Sequence, residues 1–342
     1  MSNVYVGMSG GVDSSLTAAL LVEAGHKVTG VYMKNWTQDL PGMRCPWADD
    51  LADAKRVAVH LGIDFTVFDF EKEYKQNVVD YMISEYTEGR TPNPDIMCNQ
   101  EIKFKLFLET ALAAGAEYVA TGHYACTESG KLLLAEDDNK DQTYFLYRVT
   151  KQALDKTLFP LGNYTKPQVR EMAEARGLIT AAKKDSVGIC FVGQIGMREF
   201  LSQYITATPG DVIDKQSGNV IGRHDGAIFY TLGQRHGLAI GGGLPYYVVG
   251  KDMQRNIVYV SRNLQDETMW RESVDLQSIH WINQPVDEQA DIMVRVRHRA
   301  PLVPAKLYGN TVRFNEAQRA LTPGQSAVLY VGNECVGGGI VA

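Results

Sequence analysis

The sequence predicts an α/β protein in three parts: an N-terminal doubly wound parallel sheet, a small linking domain and a C-terminal β-barrel. Three observations predict it. Strand-like and helix-like runs alternate from the N-terminus to about residue 125. After about residue 195 the chain turns to glycine-rich turns with short β-type runs. From about residue 268 every segment reads as a short strand bounded by turn residues, the pattern of a small barrel. The expected domains are therefore 1–196, 197–267 and 268–342.

The first strand is "NVYVGM", followed by the helix "SSLTAALLVEAG" with Gly25 at its end. "KVTGVYM" is the second strand. "ADDLADAKRVAVHLG" carries apolar residues at helical spacing and closes on Gly62. "DFTVFDF" is a strand, "KEYKQNVVDYMISEYTEG" a helix, "IKFKLFLETALAAGA" a helix and "EYVATGHY" a strand. In such a sheet, ligands bind at the carboxyl ends of the strands near the switch point. The late strands are "ADIMVRVRH", "VPAKLYGNTVRFN" and "GQSAVLYVGNECVGGGIVA".

Composition narrows the function classes. The formal net charge is −6, so no global basic field advertises nucleic-acid binding, although a local basic surface remains compatible. No apolar run approaches the ~18 to 20 residues that cross a bilayer. The N-terminus enters a strand at once, without a basic region and an apolar leader, so a cytoplasmic protein is expected. Nothing signals an obligate dimer, and a monomer is expected. The five cysteines, Cys45, Cys98, Cys126, Cys190 and Cys335, are widely spaced and contain no CxxC pair. That argues against a disulfide scaffold and against a structural zinc site.

The stretch "GMSGGVDSS" lies between the first strand and the first helix. Glycines let successive main-chain amides converge, and the helix adds free amides and the positive end of its dipole. The expected ligand is a phosphate. The lysine of the Walker pattern and the G-x-G-x-x-G spacing are both missing. The remaining pattern, S-G-G-x-D-S at Ser9 to Ser14, resembles the loop of the ATP pyrophosphatases, which split ATP between its α and β phosphates. That resemblance implies ATP as cosubstrate, adenylation of a substrate oxygen, and Asp13 as an aid to Mg2+.

Two cysteines stand in distinctive company. Cys98 follows the stiff "TPNPDIM" segment, with Asp95 three residues before it as a general acid/base. A helix N-terminus with Lys103 and Lys105 nearby is expected to lower its thiol pKa. Cys190 lies in "KKDSVGICFVG". An ordinary buried cysteine is the alternative for each; Cys45, Cys126 and Cys335 are read as structural.

The motifs "SGGVDSS", "TPNPDIMCN", "ATGHYA", "KDQTYFLY", "DSVGICF" and "YTLGQRHGLAIGGGLPYYVV", in that order, resemble the bacterial tRNA-specific 2-thiouridylases from residue 4 to the C-terminus. The resemblance implies replacement of the C2 oxygen of the wobble uridine by sulfur, in tRNAs for lysine, glutamate and glutamine. It implies that Gly7, Met8, Ser9, Gly10, Gly11, Val12, Asp13 and Ser14 hold ATP, with Met33 and Gly122 near the nucleotide. Asn93, Pro94 and Asp95 are implied to face the target base, and Cys98 to be the nucleophile. Cys190 is implied to take sulfur, as a persulfide, from a sulfur-carrier protein or a cysteine desulfurase. His123, Lys140, Asp141 and Gln142 are implied tRNA contacts. A segment over about 183–195 is expected to move Cys190 towards Cys98.

The basic run "VRVRHR" is expected to set Arg295, Arg297 and Arg299 on one strand face for phosphate contact, with Lys306 and Arg313 following. The family's basic–aromatic pair maps to Arg297 and His298, with histidine in place of the usual tyrosine, and Gln325 of "TPGQ" maps to a further tRNA contact. Two other readings are a small-molecule ligase or amidotransferase on the same loop, and a non-catalytic nucleotide- or tRNA-binding protein. The ligase reading needs no paired cysteines or basic barrel, and predicts a glutaminase or amino-acid site of which the sequence has no sign.

Overall fold

The computed structural model describes residues 1–39, 45–184, 196–238, 240, 244–263, 265–288 and 290–342. Strands β1 (Asn3–Gly7), β2 (Lys27–Lys34), β3 (Asp64–Asp69) and β4 (Tyr118–Ala120) are followed by a hairpin, β5 (Cys126–Glu128) and β6 (Lys131–Leu133), and by the short β7 (Thr157–Leu158). The first sheet runs β3-β2-β1-β4-β7, with all its pairings parallel. Chain order reverses direction between β1 and β4, so the switch point lies there, and the loops leaving both strands share one edge.

Helix α1 (Val12–Glu23) is buried on nearly every side. Its Ser, Thr and Ala residues let it sit close to the sheet, with Leu16 and Ala18 fully buried beside Val4 and Val6. Full burial of each branched aliphatic side chain contributes roughly 1.5–3 kcal/mol. Helix α2 (Trp47–Leu61) buries one stripe, Ala54, Val57 and Ala58, and ends on left-handed Gly62 as expected.

The third helical stretch passes through a π-helical turn, Lys75–Val79. The fourth starts earlier than its apolar spacing suggests. Asn93 caps it by accepting from the Asp95 amide, and Pro94 occupies the first turn, where a missing N–H costs nothing. The stretch then runs Pro94–Met97, π-helical Cys98–Leu106 and Phe107–Ala113 without a break. Cys98 is thus inside a helix rather than in a loop before one.

The middle sheet holds β8 (Gly210–Asp214), β9 (Val220–His224), β10 (Tyr247–Asp252) and β11 (Ile257–Ser261) in the order β10-β11-β8-β9. The last six strands are β12 (Trp270–Trp281), β13 (Asp291–Arg295), β14 (Val303–Tyr308), β15 (Thr311–Arg319), β16 (Ser326–Val331) and β17 (Glu334–Val341). They follow the order β12-β15-β14-β13-β16-β17, and β12 pairs back with β17 to close the barrel. The β5–β6 hairpin joins β17, so the N-terminal part lends two strands to the barrel sheet. Tyr144, Tyr147 and Thr143, from the motif "KDQTYFLY", bond Ser326 and Tyr330 of β16 and lock the two parts together. No helix among the described residues is long and apolar enough to cross a membrane.

Candidate active site

The glycine loop leaves β1 at Gly7 and enters α1 through Gly11, an extended N-cap with no side-chain cap. The first amides of α1 are therefore not taken by a capping side chain. Met8 and Val12 turn their side chains into the core and offer only main chain to the loop. Ser14 braces the turn: its hydroxyl accepts from the Ser9 amide at 3.1 Å and donates to the Gly11 carbonyl at 3.1 Å. Gly10 has φ +75°, and a Cβ there would lie 2.3 Å from the Asp50 carbonyl of α2. Gly122, just past β4, is equally constrained: a Cβ would sit 2.8 Å from the Ser14 amide nitrogen. Met33 is near the loop as expected, its methyl 2.9 Å from the position of a Cβ on Gly7.

Asp13 is held from two directions. Lys166 Nζ reaches its carboxylate oxygens at 2.7 and 2.8 Å, and the Tyr124 hydroxyl donates to it at 2.8 Å. Lys166 opens the helix Lys166–Ala175, whose start is fixed by a Thr165–Gln168 capping box. Sequence reading missed this lysine, which lies far from the loop along the chain; the one signal was the T-K-P-Q helix start. The loop fits an ATP phosphate chain, with glycine amides, an uncapped helix start and a nearby cation. Asp13 is the one carboxylate of the loop that could hold magnesium beside the ATP phosphates, and it would exchange its contacts with Lys166 for the ion.

The second centre surrounds Cys98, whose side chain is buried. Burial pushes its thiol pKa up; Lys103 pulls the other way, Asp95 adds to the rise, and a hydrogen bond from Tyr74 lowers it. The expected lowering is thus overturned, because desolvation outweighs the cation. Lys105 does not contribute: its ammonium bonds Glu101 at 2.7 Å. Burial likewise pushes the Asp95 carboxyl up, against the pull of Lys103. Pro94 is buried, and the Asn93 side chain caps the helix. Cys190 lies outside the described residues, as do residues 185–195 of the segment over about 183–195 expected to carry it.

Two consecutive residues connect the centres. Gly122 presses on the glycine loop, and His123 Nε2 lies 3.5 Å from Lys103 Nζ on the cysteine helix. His123 is itself largely buried, at 8% exposure, between the rings of Phe104 and Phe159. Burial and Lys103 hold its pKa well below the usual histidine value.

The expected row of three arginines on one strand face is broken at Arg295, while Arg297 and Arg299 stay exposed beyond the strand. β13 ends at Arg295, which is buried and pairs with buried Asp141 at 2.9 Å. Asp141 also accepts from Thr143 and the Ala135 amide, so both residues tie the barrel to the N-terminal part. Past the strand end, Arg297 donates to the Ala320 carbonyl at 2.9 Å and Arg299 to the Asn139 carbonyl at 3.1 Å. The strand alternation that would have aligned three arginines stops at the first of them, four residues short of Arg299. His298 packs on Phe145 with ring centroids 4.5 Å apart. Gln142 accepts from the Tyr124 amide, Lys140 is half-buried, and Gln325 donates to the Thr91 carbonyl at 2.7 Å.

Residues 2–194 match the tRNA methyl transferase HUP domain, 198–262 the tRNA methyl transferase PRC-barrel domain, and 271–341 the aminomethyltransferase beta-barrel domain. The tRNA-specific 2-thiouridylases MnmA of Bacillus thuringiensis (strain Al Hakam) and Bacillus anthracis are each 47% identical over 351 residues, covering 99% of this chain and 94% of theirs. A solved 4-thiouridine synthetase–RNA complex with bound ATP is similar over 59% of this chain and 50% of that one, at 15% identity and a TM-score of 0.39. The domain descriptions speak of methyl transfer and the full-length relatives of thiolation; identity over whole chains outweighs the label of a part. The chain belongs to the tRNA-specific 2-thiouridylase family.

Proposed function

We propose that this enzyme replaces the C2 oxygen of the wobble uridine of tRNAs for lysine, glutamate and glutamine by sulfur, using ATP. The observation that carries the reading is the coupling of the two centres through Gly122 and His123. A phosphate loop and an acid–thiol centre then act on one carbonyl of the substrate, the first on its oxygen and the second on its carbon. The fold of residues 1–196 is assigned the chemistry, 197–267 the linkage and 268–342 the tRNA contact.

The loop amides of residues 9–14 orient the ATP phosphates, and Lys166 is the cation at hand for charge gathering on them. Magnesium supplies further charge neutralisation when bound. The uridine O2 attacks the α phosphorus and pyrophosphate leaves, which turns a poor leaving group into AMP. The target base is flipped from the anticodon loop towards Asn93, Pro94 and Asp95, at little cost because it is already single-stranded.

Sulfur arrives on Cys190 as a persulfide from a carrier protein or a desulfurase. Either the persulfide attacks C2 directly and expels AMP, and the Cys98 thiolate then attacks the Cys190 sulfur and frees the sulfur on C2, or the Cys98 thiolate attacks the Cys190 sulfur first and releases hydrosulfide, which attacks C2 and expels AMP. In the second route the sulfane sulfur is reduced by two electrons and the two cysteine sulfurs are oxidised to a disulfide. Both routes end in a Cys98–Cys190 disulfide and free AMP, and a thiol reductant must reset the pair. Asp95, whose proton affinity is raised by burial, accepts the Cys98 proton. The cytoplasm is the expected compartment and a monomer the expected state. Incubation with ATP, magnesium and unmodified tRNA, with no sulfur source, is expected to release pyrophosphate. No release above the tRNA-free background contradicts adenylation.

A further inference from the structure

The π-helical stretch Cys98–Leu106 sets which side chains share a side of the helix. In an α-helix, residues five apart are turned about 140° from one another. A π-helix closes its hydrogen bonds from i to i+5 and brings such residues onto one side. The Phe107 amide, bonding back to the Ile102 carbonyl, shows that register. Cys98 and Lys103 are five apart. The π register therefore turns the lysine towards the cysteine, while Lys105 points away to its ion pair with Glu101.

The Lys103 ammonium is held from behind. His123 is buried, and Thr121 Oγ1 lies 2.7 Å from its Nδ1. Phe104 and Phe159, with ring centroids 5.5 and 6.0 Å away, box in the imidazole. A neutral ring whose Nδ1–H donates to Thr121 leaves Nε2 as an acceptor, 3.5 Å from Lys103 Nζ. That tautomer follows from the hydrogen-bond network. The groups that face Cys98 are Lys103, Asp95 and the Tyr74 hydroxyl.

We infer that Lys103, held by His123, is the positioning cation of the thiol centre: it steadies the Cys98 thiolate once the thiol proton has passed to Asp95. The inference rests on the sulfur-transfer reading above. Proton transfer leaves the net charge of the group unchanged. Thiol, carboxylate and ammonium become thiolate, carboxylic acid and ammonium. No uncompensated charge is created in a buried site, which is the costly event there.

The test is thiolate absorbance near 240 nm as a function of pH, read on the full chain as the difference between each protein and its Cys98→Ser counterpart. Lys103→Met is expected to move the Cys98 midpoint up by about one unit, so that about tenfold less thiolate is present at a given lower pH. Lys103→Arg is expected to restore most of the shift. His123→Phe, which keeps the ammonium but loses its hold, is expected to move the midpoint the same way by less, and it serves alone if Lys103→Met does not fold. An unchanged midpoint in the folded Lys103→Met protein, or in His123→Phe where that protein stands alone, overturns the inference. A wild-type protein that makes no thiouridine while these shifts appear overturns the sulfur-transfer reading and not the cation's role.

Discussion

The side-chain amide of Gln325, on the barrel loop before β16, donates to the main-chain carbonyl of Thr91 at 2.7 Å. Thr91 is two residues from Asn93 and four from Asp95. In the other direction, the Thr91 amide donates to the Pro323 carbonyl at 2.8 Å, and its hydroxyl lies 3.2 Å from that of Thr231 in the middle part. All three parts of the chain meet on the residue that leads into the thiol centre. Gln325→Ala is expected to lower stability by about 1 kcal/mol, the ordinary net value of one hydrogen bond. It is also expected to slow thiolation while leaving ATP affinity unchanged. Urea unfolding and a turnover assay check both; unaltered turnover would leave the contact purely structural.

Gly122 offers a sharper test of the nucleotide loop. Its φ is not in the left-handed region, so alanine is acceptable to the backbone itself. The obstacle is space: the new methyl would press on the Asp13 carbonyl carbon and the Ser14 amide nitrogen, each 2.8 Å away. Gly122→Ala is expected to weaken ATP binding at least tenfold by calorimetry. Wild-type affinity would place the phosphates elsewhere.

The Asp13–Lys166 pair is partly buried, with side-chain exposures of 31% and 10%. Breaking a buried pair leaves an uncompensated charge; with this exposure the cost is about 1–3 kcal/mol. Lys166→Met is expected to lose that much stability, and Lys166→Met/Asp13→Asn to recover part of it by removing the orphaned charge. Both are expected to lose ATP-dependent pyrophosphate release. A double variant with wild-type release would take the pair out of the chemistry.

His298 supplies a pH signature. Burial, then Arg299, Arg295 and Lys140, hold its pKa down from 6.5 to about 4. Between those values the unfolded chain takes up a proton that the folded chain refuses. Its contribution to stability is present above pH 6.5 and is lost as pH falls towards 4. His298→Tyr keeps a ring against Phe145 and removes the titration. The urea midpoint of the variant is expected to fall less than that of wild type between about pH 7 and about pH 5. Equal losses would remove His298 from the acid limb.

Much of this was legible in the sequence, for local reasons. A strand, two glycines and a helix in succession specify an anion site, and the turn residues Gly25 and Gly62 mark helix ends where the structure has them. Proline and asparagine before Asp95 mark a helix start, although the helix begins eight residues before the apolar spacing was expected to carry it. What escaped depends on distant pairings. Lys166 meets Asp13, and Arg295 meets Asp141, across more than 150 residues each, and nothing local in either segment names the partner. The same gap made the arginine run look like one exposed face. The direction of the Cys98 shift escaped because burial, which dominates it, is a tertiary property. The π register that turns Lys103 towards Cys98 has no sequence periodicity distinct from that of a helix.

The most direct measurement is mass spectrometry of nucleosides from unmodified glutamate tRNA after incubation with the protein, ATP, magnesium and a persulfide donor. The account predicts 2-thiouridine formed only with ATP, and lost in Cys98→Ala and in Cys190→Ala while both variants remain folded. Full thiolation by both variants, or no sulfur-containing uridine from the wild-type protein, would contradict it.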